Sequence, residues 1–454
     1  MIVNNIRILL MLGLSPREKK AIFMASLGSI LEFYDFIIFG FMTNYFIKNI
    51  FGNDSLNNNN ILILYSIFII GYIMHPLGMH LYSKIAPVQD LRLVDGGITL
   101  MLIVSTLTMG LIPTHMPIVW WMPLIILGVA RIIQGLACGA EMQAELDHIK
   151  IKIPQNMSFA ALGILAGNEI GQFLAIVVNR ILNYWFSPNQ LQDYAWRLPF
   201  IFGAILALLI YLIRLKFAER ITEEHCYRNI IPVYKLFNYY PSQIFIAIGL
   251  AGIRGALTLL YLIFIPFTMY HFLHYSLLMI SRIIFITSII GGIVAYLINR
   301  YCSYHNAPRQ LLVCVILLLP SVILWMLSSH YDKFVYPSIL ALAILSSCFT
   351  FLVQRVMAGL FPSAVRLAGM SFANQQGYIF CAGLMPLISI GLAHLLLKSN
   401  IHFSHYLVFY IGTAFYLLIL VVLNIYGLYR LPDYANYTDI HQIRQRILTS
   451  KVIN

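Results

Sequence analysis

Five ionisable residues lie in the middle of long apolar stretches of this sequence. A charge at the centre of a bilayer costs about 2.5–3.5 kcal/mol on insertion scales, so intramembrane charges usually face a cavity or a partner. All five lie roughly 11–14 residues from the start of their stretch, and a helix rises about 1.5 Å per residue. They are therefore predicted to share one central plane. The five residues are Glu32, Asp35, Arg131, Glu169 and Arg254.

The two arginines in this plane predict the binding of an acidic group. A guanidinium presents a planar fork of donors and stays charged at any working pH. We therefore expect Arg131 and Arg254 to bind a substrate carboxylate. Gln134 and Tyr34 are predicted as further substrate contacts.

The acidic residues are candidates for carrying a coupling proton. Burial and a neighbouring arginine act in opposite directions on the protonation of a carboxyl group, so a substrate that engages the arginine can change it. The alternative for each acid is a permanent structural ion pair. The four candidates are Asp35, Glu32, Glu169 and Glu141.

One predicted helix, 117–146, carries polar residues on a single face. Its polar positions follow one another at intervals of three or four residues, and at about 100° per residue they fall within one sector of roughly 80°. This pattern predicts a polar lining that runs from mid-membrane toward the cytoplasm. The alternative is that Glu141 and Glu145 lie merely at the water-exposed end of the helix. The polar residues are Arg131, Gln134, Cys138, Glu141 and Glu145.

The elements that position these residues are membrane helices. The chain of 454 residues is 60% hydrophobic and 10% charged, whereas soluble proteins are nearer 45–50% and 25%. A bilayer-spanning helix needs about 20 apolar residues. Twelve stretches qualify, which excludes soluble and disordered classes: 21–50, 61–82, 94–114, 117–146, 158–183, 198–215, 241–270, 276–299, 310–329, 335–359, 367–397 and 404–429.

The net charge of +12 is explained by membrane orientation. With a cytoplasmic N terminus, twenty of the 29 Lys and Arg residues fall in cytoplasmic segments and six in external ones. Cytoplasmic loops carry such an excess. Both termini are therefore predicted to be cytoplasmic, and no nucleic-acid partner is needed to account for the charge.

A charged stretch divides the chain into two halves of six helices. We predict an N-terminal bundle at 1–215, a cytoplasmic linker at 216–240 and a C-terminal bundle at 241–454. Two pseudo-repeated bundles around a central cavity are typical of carriers. The alternative is a single irregular twelve-helix bundle. In the fifth helix, Gly163, Gly167 and Gly171 predict close backbone approach to a neighbouring helix.

Metal, cofactor and enzyme chemistry are not predicted. The six cysteines include no close pair and lie mostly in apolar runs, so they are interpreted as packing residues. The sequence contains no phosphate-binding loop and no nucleophile elbow. Residues 8–14 form a short apolar run without a cleavage site, which favours an interfacial N-terminal segment.

Four motifs, in order along the chain, resemble the metabolite:proton symporter family of the major facilitator superfamily. Residues 28–40 read GSILEFYDFIIFG, similar to the signature of helix one in that family. Residues 131–141, 196–200 and 361–369 read RIIQGLACGAE, WRLPF and FPSAVRLAG, which resemble three further family motifs. The resemblance implies an all-α integral membrane protein with twelve transmembrane helices in two bundles.

Three departures from the family pattern are informative. The family's G-D-R-x-G-R turn, thought to latch the two bundles, is replaced at residues 86–91 by APVQDL. Asp90, Asp95 or Arg92 are candidates for a different latch. His75 stands where relatives have arginine, and Ala140 replaces the second glycine of helix four.

The sequence thus predicts proton-coupled uptake of a small carboxylated or zwitterionic metabolite by alternating access. Relatives carry proline and betaine, ketoglutarate, citrate, dicarboxylates or shikimate, and the sequence does not choose among them. The alternatives are a proton-independent facilitator or exchanger and a degenerate, non-transporting receptor. We expect a monomer in the bacterial inner membrane, with a small solute, protons and lipid as its partners. The tail after Leu431 shows no coiled-coil heptads.

Overall fold

The computed structural model describes most of the chain. The described residues are 15–52, 58–86, 91–114, 121–152, 157–217, 239–271, 273–301, 307–328, 331–362, 365–398 and 405–429. The predicted N-terminal interfacial segment, nearly all of the linker 216–240, Asp90 and the tail after Leu431 lie outside these residues.

The described residues are almost entirely helical. The helices in chain order are α1 Pro16–Phe51, α2 Asn58–Ile85, α3 Leu91–Gly110, α4 Met122–Lys152, α5 Met157–Trp185, α6 Pro188–Asp193, α7 Leu198–Phe217, α8 Pro241–Leu259, α9 Ile265–His271, α10 Leu277–Tyr301, α11 Ala307–Leu327, α12 Val335–Leu360, α13 Arg366–Gly377, α14 Leu384–Lys398 and α15 His405–Tyr429.

The first helix begins at a complete capping box. The Ser15 hydroxyl accepts from the Glu18 backbone N–H, and the Glu18 carboxylate accepts from the Ser15 N–H. Pro16 follows at the first helical position, where its missing N–H is not needed. The helix ends at Gly52, whose φ of 59° favours glycine. Local sequence therefore determines both ends of α1.

Two of the helical segments are interrupted by π-helical turns that precede prolines. The turn Leu260–Phe264 joins α8 to α9 just before Pro266, and the turn Tyr378–Gly383 joins α13 to α14 just before Pro386. Proline lacks an N–H and its ring clashes with the carbonyl four residues earlier, which lies inside the π-helical turn in both cases. The local change at these two prolines is therefore a widened helical turn.

Eleven helices among the described residues are long and apolar enough to cross a membrane. This confirms the predicted all-helical membrane fold. Each of the twelve apolar stretches coincides with a helical segment, but the stretch at 158–183, which forms α5, is not among the eleven. The count of twelve membrane crossings therefore stays a prediction.

The chain divides into two compact units. The first takes its described residues from 1–229, 259–288 and 386–412, and the second takes them from 230–258, 289–385 and 413–454. The predicted boundaries at 215 and 241 stay a prediction, as does the alternative of one irregular bundle.

Glycines bring two pairs of helices in the first unit into backbone contact. A Cβ on Gly167 of α5 would lie 2.6 Å from the Ser26 carbonyl oxygen of α1, and one on Gly171 would overlap the Ile30 carbonyl. Helices α2 and α4 meet similarly, because a Cβ on Gly139 would overlap the His75 carbonyl. The predicted close approach of the fifth helix is therefore confirmed, with α1 as its neighbour.

Candidate functional site

Asp35 on α1 is held by two donors from other helices. The Thr106 hydroxyl of α3 donates to Oδ2 of Asp35 at 2.5 Å, and Nε2 of Gln134 on α4 donates to the same oxygen at 3.2 Å. Oε1 of Gln134 in turn accepts from Nη1 of Arg131 at 2.6 Å. Arg131 and Asp35 are thus connected through Gln134. We call Asp35, Thr106, Gln134 and Arg131 the Asp35 network.

The guanidinium of Arg131 is buried against aromatic rings. Its Cζ lies 3.5 Å from the ring centre of Phe39 and 5.3 Å from that of Phe68. A cation over a ring face is stabilised by the ring quadrupole, most strongly where water is excluded. The side chain is only 3% exposed. The rings therefore hold the charge in place without using its hydrogen-bond donors.

Three polar atoms of the Asp35 network have no hydrogen-bond partner in the described part of the chain. They are Oδ1 of Asp35 and both Nε and Nη2 of Arg131. A buried donor or acceptor left unpaired costs about 1–3 kcal/mol, and more when it is charged. The network is therefore incomplete, and the open positions are two cationic donors and one carboxylate oxygen.

Gly203 on α7 makes room for the open oxygen of Asp35. A Cβ at this position would lie 2.8 Å from Oδ1 of Asp35 and 3.2 Å from the Thr106 methyl carbon. Any larger residue would therefore press on the carboxylate. Asp35 is accordingly surrounded by α3, α4 and α7.

The polar face of α4 is buried in the structure, and its predicted role as a lining stays a prediction. Its five residues are between 1% and 5% exposed. Their partners differ along the helix, because Arg131 and Gln134 join the Asp35 network while Glu141 and Glu145 do not. One part of this face therefore contacts Asp35, and the other part contacts Arg214 and Ser29.

Glu141 forms an ion pair with Arg214 on α7. Nη1 of Arg214 donates to Oε2 of Glu141 at 2.9 Å, Nη2 donates to Oε1, and Nη1 also donates to the Thr99 hydroxyl at 3.2 Å. A two-pronged pair of this kind is strong and directional. The structure therefore favours the ion-pair alternative for Glu141, while its predicted role in proton transfer stays a prediction.

Glu145 is bound by Ser29 of α1. The Ser29 hydroxyl lies 2.9 Å from Oε1 and 3.0 Å from Oε2 of Glu145. A Cβ on Gly28 would lie 2.7 Å from Oε1 of Glu145 and would also overlap Oε1 of Glu141. The first glycine of the motif at 28–40 therefore makes room for both carboxylates.

Glu32 lies close to ligand-type side chains of two other helices. Its carboxylate is half-buried and belongs to a trio of potential metal ligands with His75 of α2 and Cys138 of α4. Glu169, the remaining acid, is half-buried on α5. The roles predicted for both acids stay predictions.

Tyr34 has a structural partner. Its hydroxyl donates to the Pro199 carbonyl at 2.8 Å, and the residue is fully buried. In the same WRLPF motif, Arg197 donates to the Ile112 carbonyl at 3.0 Å and to the Thr114 hydroxyl at 3.3 Å. The motif thus ties α7 to α1 and to the end of α3. The predicted substrate contact of Tyr34 stays a prediction.

In the second unit, Arg254 lies in a polar cluster of its own. Its Nη2 donates to Oδ1 of Asn374 at 3.3 Å, and its Cζ lies 5.2 Å from the ring centre of Tyr378. Among the described residues, Nε of Arg254 and both amide atoms of Gln375 have no hydrogen-bond partner. Like Arg131, this buried arginine therefore retains a hydrogen-bond donor that a substrate could use.

Several residues that shape these clusters were not predicted from the sequence. Hydroxyl and aromatic residues are too common in an apolar chain to stand out by type. The residues missed are Phe39, Phe68, Ser29, Thr99, Thr106, Gly203 and Arg214.

Eleven described helices long and apolar enough to cross a membrane define the class of protein as a multi-pass membrane protein. The fold is similar to that of a D-xylose-proton symporter, with a TM-score of 0.70 at 13% identity over 91% of this chain and 98% of that one. It is also similar to a bacterial homologue of the human lysosomal transporter Spinster, with a TM-score of 0.63 at 12% identity over 94% of this chain and 97% of that one. The fold is therefore similar to that of these membrane transporters.

The sequence is similar to curated transporters, although no family model matches it. A putative proline/betaine transporter of Staphylococcus aureus (strain COL) is 23% identical over 51% of each chain. The citrate-proton symporter of Klebsiella pneumoniae is 28% identical over 44% of this chain and 45% of its own. The proline/betaine transporter of Escherichia coli (strain K12) is 22% identical over 82% of this chain and 77% of its own.

The matches to the Staphylococcus and Klebsiella proteins span about half the length of those relatives. Fold and relatives together confirm the resemblance to metabolite:proton symporters of the major facilitator superfamily. These relatives are transporters rather than enzymes.

Proposed function

We propose that this protein is a secondary transporter that takes up a small carboxylated or zwitterionic metabolite together with protons, by alternating access. The observation that carries the proposal is the incomplete hydrogen bonding of buried Arg131, whose Nε and Nη2 have no partner among the described residues. A carboxylate accepts two parallel hydrogen bonds from a guanidinium, so a substrate carboxylate would satisfy both donors.

Asp35 is the proposed proton carrier. It is connected to Arg131 through Gln134, so the charge state of one affects the hydrogen bonding of the other. A substrate that engages Arg131 would change the field at Asp35, and this supports coupling between substrate and proton. The relatives named as proline/betaine transporters and as a citrate-proton symporter agree with this solute class.

Arg254 is proposed separately as a second substrate contact, on the evidence of its own open donor. Its role is tested independently of Arg131 by Arg254→Lys in the assay below. The proposed location is a bacterial inner membrane.

Proteoliposome uptake of labelled organic acids and betaines, with and without an imposed pH gradient, tests the proposal. Accumulation driven by the gradient is the expected result. Equilibration of the solute at the same rate with and without the pH gradient would instead indicate a facilitator or exchanger. Binding of the solute without flux would indicate a receptor.

The Asp35→Asn variant separates proton coupling from binding. The amide keeps the shape of the side chain but cannot release a proton at working pH. We expect gradient-driven accumulation to be lost while solute exchange persists. Asp332→Asn, at an exposed acid before α12, is the matched control and should behave as wild type. Full accumulation by Asp35→Asn would exclude Asp35 as the carrier.

A further inference from the structure

One cluster of metal-ligand side chains in the first unit is not used by the proposed transport chemistry. Among the residues that the structure describes, it consists of Glu32 on α1, His75 on α2 and Cys138 on α4. One ligand atom from each lies within 4.8 Å of the other two. We call these residues the Glu32 trio.

The three side chains have no hydrogen-bonding partners among the described residues. No hydrogen bond within that part of the chain involves the Glu32 carboxylate, the His75 ring nitrogens or the Cys138 thiol. His75 and Cys138 are buried, the centre of the Tyr72 ring lies 5.3 Å from that of the His75 ring, and the charge of Arg131 acts on both His75 and Cys138. Buried polar groups normally have hydrogen-bond partners. All three groups are therefore available to a ligand.

Close packing of the helix backbones produces this convergence. A Cβ on Gly139 would overlap the His75 carbonyl, so α2 and α4 touch directly beside Cys138. Cys138 also shares the polar face of α4 with Gln134 and Glu141. The position of the trio is therefore fixed by helix packing rather than by a mobile loop.

We propose that the Glu32 trio binds a divalent transition-metal ion of the zinc class. Thiolate, imidazole and carboxylate together suit zinc and its neighbours, whereas magnesium and calcium prefer oxygen ligands. Zinc forms bonds of about 2.0–2.3 Å to such atoms, which sets tetrahedral ligand atoms about 3.3–3.8 Å apart. Binding therefore requires the three side chains to move inward by roughly 1 Å.

The charges of the ligands match the charge of this ion. On binding, the Cys138 thiol releases its proton to solvent and the sulfur forms a bond to the metal. The metal loses bound water in exchange. A thiolate and a carboxylate then neutralise a divalent cation. Three protein ligands leave a fourth coordination position open.

Titration of the full-length protein in detergent with Co²⁺ tests the proposal, because a cobalt–thiolate bond gives a charge-transfer band in the near ultraviolet. We expect one ion per chain and competition by Zn²⁺. Cys138→Ser should abolish the band, and His75→Gln and Glu32→Gln should each weaken binding at least about tenfold. Cys348→Ser, at a buried cysteine of α12, is the matched control and should bind as wild type.

A second measurement does not depend on the folding of any variant. Zn²⁺ should raise the thermal unfolding temperature of the wild-type protein, since a ligand that binds only the folded state stabilises it. Mg²⁺ at the same concentration should not. Absence of the cobalt band in the wild-type protein, its persistence in Cys138→Ser, or equal stabilisation by Mg²⁺ would overturn the proposal. Transport is not measured, so the outcome is independent of the proposed function.

Discussion

The hydroxyl of Thr106 on α3 donates a hydrogen bond of 2.5 Å to Oδ2 of Asp35 on α1. Gln134 donates to the same oxygen, whereas Oδ1 lies beside Gly203. One carboxylate oxygen is therefore fixed by neighbouring helices and the other is left open. This asymmetry is the structural basis on which Asp35 is proposed as the proton carrier.

Removal of the Thr106 hydroxyl should impair proton-driven uptake. Thr106→Val keeps the shape of the side chain and removes the donor, and a hydrogen bond to a charged group contributes about 1.5–3 kcal/mol. We expect gradient-driven uptake to fall at least about tenfold, with Thr106→Ser close to wild type. Thr108→Val is the control, because the Thr108 hydroxyl donates to the Val104 carbonyl of its own helix. Equal loss in both valine variants would contradict the prediction.

Replacement of Arg131 by lysine should weaken substrate binding although it keeps the charge. Lysine lacks the planar fork that would pair with both carboxylate oxygens, and it stacks less well over Phe39. We expect the KM for uptake to rise at least about tenfold. Arg309→Lys, at an exposed arginine near the start of α11, is the matched control. An unchanged KM in Arg131→Lys would remove the main support for the proposed binding site.

The pair of Glu141 and Arg214 should contribute mainly to stability. Loss of one partner of a buried ion pair costs about 3–5 kcal/mol, and this pair should lie at the lower end because the Arg214 side chain is 19% exposed. Thermal unfolding in detergent should show Glu141→Gln and Arg214→Gln to be less stable than Lys84→Gln, an exposed control on α2. The double variant should lose less than the sum of the single losses. Strict additivity would show that the two residues act independently.

The contact between α1 and α5 should not tolerate side chains at Gly167. Its Cβ would lie 2.6 Å from the Ser26 carbonyl, so Gly167→Ala forces the helices apart at a cost of about 1–3 kcal/mol. In Gly128→Ala, the added methyl meets nothing within 4 Å, and the change should stay within about 1 kcal/mol. Thermal unfolding of the two variants checks this. Helix propensity favours alanine over glycine in both variants, so a loss of the same size in both would mean that the close contact at Gly167 does not determine the result.

The sequence by itself determined the helices and singled out charged residues that the structure buries. Apolar stretches of sufficient length leave the backbone no alternative to helix in lipid, so every predicted stretch coincides with a helical segment. The cost of intramembrane charge singled out Asp35 and Arg131, and helical periodicity placed Gln134 on the face of Arg131. These inferences use only apolar length, charge and helical periodicity, which are local properties of the sequence.

The tertiary structure decided which charge meets which partner. Arg214 pairs with Glu141, Thr106 binds Asp35, and Cys138 joins Glu32 and His75, although these partners are far apart in the sequence. Such pairings depend on which helices pack together and at what register, and glycine contacts fix both through close backbone approach. Periodicity within one helix carries no information about its neighbour. The partners of the buried acids therefore follow from helix packing and not from the residue types alone.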